Sequence, residues 1–331
     1  MVNHNNGNGS VTPEPDIAVD LAAIRAAALR IAPHIHRTPV LTSRSLDEAA
    51  DAKLFFKCEN FQKVGAFKAR GASNAVFSLA DDEAVRGVVT HSSGNHGAAL
   101  AYAATRRGIP AWIVMPDSAP AIKQANVRGF GGQVRLCAPT VAAREAACAA
   151  VQAETGALLV HPYNDWRVIA GQGTAALELL TDFPDLDAVV APVGGAGLLS
   201  GTAIAAKGIK PAILVYGAEP RAADDAQRSL TAGRILVQEN PQTIADGLRT
   251  SLCDKTFAVL SRDVDAIGTA SERSIIDAMR MMWEKMKIII EPSSAVPVAC
   301  LLEGTIDVRG LKVGIVLTGG NVDLDRLPWQ S

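Results

Sequence analysis

Two α/β lobes, built on parallel or mostly parallel sheets covered by helices, are what this sequence of 331 residues predicts. Three observations carry the prediction. Apolar β-branched runs alternate with Ala-rich stretches of helical periodicity, and the runs are almost continuously hydrophobic, as strands covered on both faces must be. Polar or glycine-rich turns follow three of the runs directly, at the strand ends where α/β folds place their chemistry.

Taken in order, candidate strands fall at 54–56, 88–91, 111–115, 134–137, 158–161, 188–193, 213–218 and 313–317. Helices are expected at 67–79, 98–107, 141–155, 173–180, 198–207 and 271–287. In the last of these, Met279, Met281, Met282, Trp283 and Met286 read as core or dimer contact. No repeat or low-complexity linker divides the chain, so the motifs set the boundaries: a small lobe at 86–163 and a large lobe at 16–85 and 164–331. Residues 1–15, rich in Asn, Gly, Ser and Pro, read as a disordered leader and neither a signal peptide nor a membrane anchor.

Charge narrows the partners. With 32 Lys+Arg against 34 Asp+Glu the net charge is −2, and a pI near 6.3 gives no electrostatic case for nucleic acid or an anionic membrane. A small metabolite is the expected partner. Cys58, Cys137, Cys148, Cys253 and Cys300 are odd in number, scattered and without a CxxC pair, and read as reduced thiols of a cytoplasmic protein.

The helix at 67–79 carries Ala72, Ala75, Val76 and Leu79 as one apolar stripe, with Lys68 at its head. A lysine among apolar groups at the positive end of a helix is destabilised as an ammonium, so its neutral, nucleophilic fraction rises, which suits imine chemistry. The bland alternative is a lysine whose ammonium snorkels to solvent. In the turn Ser92-Ser93-Gly94-Asn95-His96-Gly97, capping accounts for one serine, and free amides beside Ser and Asn side chains make a seat for a carboxylate. Gly194-Gly195-Ala196-Gly197-Leu198 follows the strand at 188–193 and lets backbone amides converge on a phosphate. Gly195, Gly197 and Gly201 with Glu219 further on also imitate a dinucleotide fingerprint, so a nicotinamide-dependent dehydrogenase is a rival reading. Thr318-Gly319-Gly320 is on its own an ordinary turn.

Together these motifs carry a resemblance. Phe55-Phe56-Lys57-Cys58-Glu59, Gly65-Ala66-Phe67-Lys68-Ala69-Arg70-Gly71-Ala72, the Ser-Ser-Gly-Asn-His turn, the glycine loop, Thr243-Ile244-Ala245-Asp246-Gly247, Glu291-Pro292 and Thr318-Gly319-Gly320-Asn321 look like fold-type II (tryptophan synthase beta-like) pyridoxal-phosphate enzymes. Within them the chain resembles the serine/threonine dehydratase, serine racemase and 3-hydroxyaspartate dehydratase group, over about residues 21–323.

The resemblance implies roles. Lys68 would bind pyridoxal 5'-phosphate as an imine and, once displaced by substrate, take the Cα proton. Phe67 and Asn95 would contact the ring and its hydroxyl, the amides of Gly194, Gly195, Ala196, Gly197 and Leu198 the phosphate, Gly247 and Glu291 the ring edge, and Thr318 the ring nitrogen. Ser92, Ser93, Asn95 and His96 would line the substrate side, with Ser93 opposite Lys68 as a second acid/base. A neutral hydroxyl at the ring nitrogen makes a weaker electron sink than a carboxylate would, which favours prompt expulsion of a β-substituent over a long-lived carbanion. Departing water is a poor leaving group and needs a proton from the cofactor phosphate or a nearby acid.

Glu219, the Ala223 carbonyl and Asp225 at a strand end suit a hard divalent cation, and the same group holds Mg²⁺ or Ca²⁺ there; acids capping a helix that begins near Ala223 are the alternative. Arg144 lies where an arginine can reach a second carboxylate, favouring 3-hydroxyaspartate over serine or threonine, while a solvated surface arginine is the alternative. Ala196 stands in place of a loop glycine, Ala98 in place of the glutamine of nucleotide-activated racemases, and Tyr163 in place of a small polar residue. The expected protein is a homodimeric cytoplasmic ammonia-lyase acting on a β-hydroxy amino acid and giving a 2-oxo acid, with serine/threonine dehydration or serine racemisation as alternatives.

Overall fold

The computed structural model describes residues 17–92, 94–119 and 121–330, so the leader at 1–15 and Ser93 lie outside the described residues. The strands among them are β1 (Val40–Leu41), β2 (Lys53–Cys58), β3 (Val88–His91), β4 (Ala111–Pro116), β5 (Gln133–Cys137), β6 (Leu158–Leu159), β7 (Ala188–Pro192), β8 (Leu214–Pro220), β9 (Ala266–Ala270) and β10 (Lys312–Leu317). They form a six-stranded sheet, β1-β2-β10-β7-β8-β9, and a four-stranded sheet, β5-β4-β3-β6. Only β1 against β2 is antiparallel, and the other pairings are parallel. The four strands of the smaller sheet all come from residues 88–159.

The helices are α1 (Leu21–Ile31), α2 (Arg44–Ala50), α3 (Lys68–Phe77), α4 (Asp81–Ala84), α5 (Asn95–Arg107), α6 (Ala121–Gly129), α7 (Val141–Thr155), α8 (Trp166–Asp182), α9 (Gly197–Ile209), α10 (Asp225–Ala232), α11 (Asp254–Asp263), α12 (Glu272–Met286) and α13 (Pro292–Leu302). The elements expected from periodicity are present, some with longer ends (α5, α8, α9) and some with shorter ones (β6, α3, α12). Helix α8 starts at Trp166 and not at 173, because Asp165 caps it by accepting from the Arg167 amide at 2.8 Å. Strands β1 and β9 escape the hydrophobic pattern: β1 has two residues, and β9, Ala-Ile-Gly-Thr-Ala, is an edge strand paired on one side only.

Strand β10 lies between β2 and β7, and Val313, Ile315, Val316 and Leu317 are fully buried, each worth about 1.5–3 kcal/mol as area removed from water. Helix α8 is the central packing element. It crosses α9 where Gly173 meets Gly201, a Cβ on Gly201 falling 2.5 Å from the Gly173 nitrogen. It crosses α3 where Gly171 meets Gly71, a Cβ on Gly171 falling 2.6 Å from the Gly71 Cα. One helix therefore sets the spacing between α3, which carries Lys68, and α9, which opens at the glycine loop.

Candidate active site

The segment leading to Lys68 is fixed by the end of β10. Val64 and Gly65 are both left-handed (φ 57° and 69°), a conformation β-branched Val64 adopts only at a cost of about 1–2 kcal/mol. The Asn321 side-chain amide donates to the Val64 carbonyl at 2.9 Å, the Gly320 amide to the Gly65 carbonyl at 3.0 Å and the Phe67 amide to the Thr318 carbonyl at 2.9 Å. These contacts offset the strain and aim the start of α3. Lys68 Nζ donates to the Pro162 carbonyl at 2.9 Å and stands 5.0 Å from the centroid of the Phe67 ring. Burial pushes the Lys68 pKa down to about 8, against the opposing pull of the Glu291 carboxylate. The ammonium is not solvated away, contrary to the bland reading.

Asn95 is the first residue of α5, which follows β3. Its side-chain NH₂ donates to both oxygens of Glu291 (3.2 and 3.1 Å), and its carbonyl oxygen accepts from Asn321 at 2.9 Å, so its amide orientation is set. Burial raises the Glu291 pKa to about 7, with Asn95 holding it back. Gly319 leaves Glu291 room, since a Cβ there would fall 2.7 Å from Oε1. The Ser92 hydroxyl accepts from the Gly94 amide at 3.3 Å, turning the chain into α5. The His96 imidazole is 3 % exposed, pairs through Nε2 with the Val160 carbonyl at 3.2 Å, and is held neutral by burial. What His96 can offer a ligand is its amide in the first turn of α5, not its side chain.

After β7 the chain enters Gly194, Gly195 and Ala196 before α9 begins at Gly197. No acceptor among the described residues takes the amides of Gly194, Gly195, Ala196, Gly197 or Leu198. Ala196 is left-handed (φ 64°, ψ 13°), which turns successive amides inward as an anion-binding concavity requires. A Cβ at Gly194 would fall 3.1 Å from the Gly247 carbonyl and one at Gly195 would fall 2.4 Å from the Tyr163 ring, so these two glycines are close-approach positions. Thr318, 3 % exposed, pairs through its hydroxyl with the Ser294 hydroxyl at 3.0 Å.

Glu219 is fully buried and accepts from the amides of Ala226 (3.0 Å) and Gln227 (2.9 Å). Asp225 Oδ2 is buried without a partner, and Ala223 is 1 % exposed beside it in sequence. Burial raises the pKa of Glu219 to about 8 and of Asp225 to about 6. Among the described residues no group of three His, Cys, Asp or Glu side chains is disposed to hold a metal. The anticipated set has two carboxylates and a carbonyl, and its uncompensated acids fit a divalent cation. The short helix 221–223 precedes α10, so the capping alternative also keeps support from the two amides on Glu219. Arg144, half-exposed in α7, donates to the Thr140 carbonyl at 3.3 Å, and its charge, after burial, lowers the His91 pKa. It thus stands near the residue that precedes Ser92.

The chain matches the model of the "Pyridoxal-phosphate dependent enzyme" family over residues 31–319. It belongs to that family. It is 54% identical over 305 residues to the beta-hydroxyaspartate dehydratase of Paracoccus denitrificans (92% of this chain, 97% of that protein) and 52% identical over 319 residues to the serine racemase of Arabidopsis thaliana (95% and 96%). The structure of maize serine racemase superposes with a TM-score of 0.92 at 49% identity, covering 95% of this chain and 96% of that one. Membership overturns the dehydrogenase reading of the glycine loop. Its supposed ribose-binding acid, Glu219, is fully buried on α10 amides, and Gly201 serves the α8–α9 crossing.

The residues present fit the family's cofactor. The free amides of the glycine loop suit a phosphate, the depressed Lys68 amine suits an aldehyde, and Asn95 and Thr318 bring polar atoms to the same cleft. Pro162, Ser294 and the second role of Asn321 escaped the sequence reading. The Ser293-Ser294 pair after Pro292 belongs to no motif that the sequence singled out, and a backbone carbonyl leaves no signature in sequence.

Proposed function

We propose that this enzyme is a pyridoxal-phosphate-dependent ammonia-lyase that dehydrates a β-hydroxy amino acid, with 3-hydroxyaspartate, giving oxaloacetate and ammonia, as its favoured substrate. One observation carries the reading: a lysine with its pKa brought to about 8 beside a loop of unclaimed amides, in a chain 54% identical to a beta-hydroxyaspartate dehydratase. When bound, the cofactor supplies an aldehyde for imine exchange and an electron-withdrawing ring.

The chain's own residues do the rest. The amides of Gly194, Gly195, Ala196, Gly197 and Leu198 hold the phosphate, while Phe67, Gly247 and Glu291 wall the ring. Asn95, its orientation set by Glu291 and Asn321, would stand beside the ring hydroxyl. Thr318 presents a neutral hydroxyl at the ring nitrogen. Ser92 and the amides of Asn95 and His96 receive the α-carboxylate at the positive end of α5. Lys68 as a free amine takes the Cα proton, and the β C–O bond breaks as the hydroxyl takes a proton from a nearby acid and leaves as water. The enamine product takes up water and releases ammonia, so carbon, nitrogen and oxygen balance. Ser93 belongs to the proposal as a second acid/base, and Arg144 as the group that pairs with the second carboxylate.

Glu219, the Ala223 carbonyl and Asp225 as a Mg²⁺ or Ca²⁺ site, a homodimer, a cytoplasmic setting, and closure of the lobe 86–163 on the lobe 16–85 and 164–331 complete the proposal. Among the described residues no helix is long and apolar enough to cross a membrane.

Two variants test it. Lys68→Ala in cofactor-supplemented protein is expected to abolish the visible band and ammonia release together; a persisting band ends the reading. Arg144→Ala is expected to lower kcat/KM about 100-fold for hydroxyaspartate and only a few-fold for serine, from loss of a bidentate carboxylate contact. Equal losses discard the dicarboxylate preference. The serine racemase relative supports a second reading, and inverted amino acid in place of 2-oxo acid and ammonia among the products is its signature.

A further inference from the structure

Two residues beyond Lys68, in the same first turn of α3, Arg70 is 0 % exposed. Its Nε and Nη2 donate to the two oxygens of Glu59 (2.7 and 2.8 Å), and its Nη1 and Nη2 to the two oxygens of Glu178 (2.8 Å each). Nη1 also donates to the Thr174 hydroxyl at 3.1 Å. Lys57 Nζ donates to Glu178 at 2.5 Å, and the Thr38 hydroxyl donates to Glu59 at 2.6 Å. Two cations and two carboxylates thus close on themselves, and they tie β2 and the turn after it to α8 through one guanidinium.

Stability alone is a weak reason for such a centre. Four ions taken out of water pay a large desolvation penalty, and apolar side chains of similar volume are often as stable. An apolar cluster lacks direction. A planar fork bonded to two carboxylates fixes how the helix that bears it is rotated. The next residue of the same turn is held to α8 too. The Gly71 amide donates to Gln172 Oε1 at 3.1 Å, while the Phe67 carbonyl, four residues back, accepts from the Arg70 amide at 3.0 Å. Helix α8, which carries Glu178, Thr174 and Gln172, follows shortly after Pro162, whose carbonyl accepts from Lys68 Nζ.

We infer that Arg70 is a positioning residue for Lys68: the Glu59–Arg70–Glu178–Lys57 centre fixes the rotation of the first turn of α3 against α8, and with it the direction in which Nζ enters the cleft. Without the fork, the rotation of α3 at the Gly71–Gly171 crossing is left to the single Gln172 hydrogen bond and to packing against Val168, neither of which has the direction of a planar bidentate pair. The inference rests on the proposed role of Lys68 as the reactive amine.

Arg70→Lys keeps the charge and loses the fork. Measured per loaded site, kcat is expected to fall about 10-fold to 100-fold with KM within about threefold, as misplacement of a reacting group by about 1 Å predicts. Covalent uptake of pyridoxal phosphate by the apoprotein should slow, and the visible circular dichroism per bound cofactor should weaken. Thr174→Val, which leaves all four charges in place, should show the same pattern at about threefold, and it decides the matter if Arg70→Lys does not fold. Variants that load cofactor and keep wild-type kcat, uptake rate and ellipticity overturn the inference. So does an activity loss in Arg70→Lys that tracks only the cofactor-free fraction. Lys68→Ala separates the two claims: a surviving band there removes the functional reading, whereas normal behaviour of the Arg70 and Thr174 variants removes only this one.

Discussion

Glu59 with Glu178 and Glu219 with Asp225 are two carboxylate pairs taken largely out of water, and they are neutralised in opposite ways. Glu59 and Glu178 meet Arg70 and Lys57 in a closed set of charge-assisted hydrogen bonds. Glu219 and Asp225 have backbone amides but no cation in contact, and one oxygen of Asp225 has nothing. The consequence appears in their acidities. Burial would raise Glu178, but Arg70 and Lys57 bring it below the ordinary carboxylate value, whereas burial carries Glu219 to about 8 and Asp225 to about 6. A buried acid with an internal partner is finished architecture. One without a partner either holds a proton or takes a cation from outside.

The largest expected effect breaks the first pair. Arg70→Met leaves Glu59 without a cation and Glu178 with Lys57 alone, and should cost about 3–5 kcal/mol in urea unfolding, as loss of one partner from a buried ion cluster does. A loss below about 1 kcal/mol would mean that the acids simply protonate at little cost.

The second pair is probed by supplying the partner it lacks. Mg²⁺ or Ca²⁺ at 100 times its Kd should stabilise the protein by about 2.7 kcal/mol, reversed by a chelator. Glu219→Gln with Asp225→Asn should abolish that response, and a double variant that still responds places the cation elsewhere.

A pH series separates the pairs without mutation. For cation-free protein, the carboxyls of Glu219 and Asp225 ionise at lower pH unfolded than folded. Their contribution is therefore complete below the unfolded pKa and is lost as pH rises through about 6 and about 8, at up to about 1.4 kcal/mol per pH unit for each group. Glu178, whose folded pKa is lowered, has the opposite sign: its contribution is present above the unfolded pKa and is lost as pH falls through the folded one. Divalent cation should flatten the alkaline decline and leave the acid limb unchanged.

Much of this was legible in the sequence because the signals are local. Lys68 at the head of an apolar stripe, the glycine loop after β7, and the Ser-Gly-Asn turn after β3 are contiguous patterns whose physics works over a few residues. The Arg70 centre was not legible, because Lys57, Glu59, Arg70 and Glu178 belong to four segments up to 121 residues apart. The orientation of His96 was not legible for the same reason: sequence put the residue in its turn, but packing against Val160 turned the imidazole inward and left the backbone amide as its polar group at the helix start.

By itself the sequence determined the α/β plan with parallel sheets and the family, and it singled out Lys68 and the glycine loop, since periodicity, strand-end turns and short motifs are written in neighbouring residues. Only the tertiary structure decided which buried charges are satisfied, which way Asn95 faces and what aims Lys68. Those outcomes depend on distances between segments remote in the chain, and hydrogen bonds and desolvation respond to ångströms that no spacing in sequence encodes.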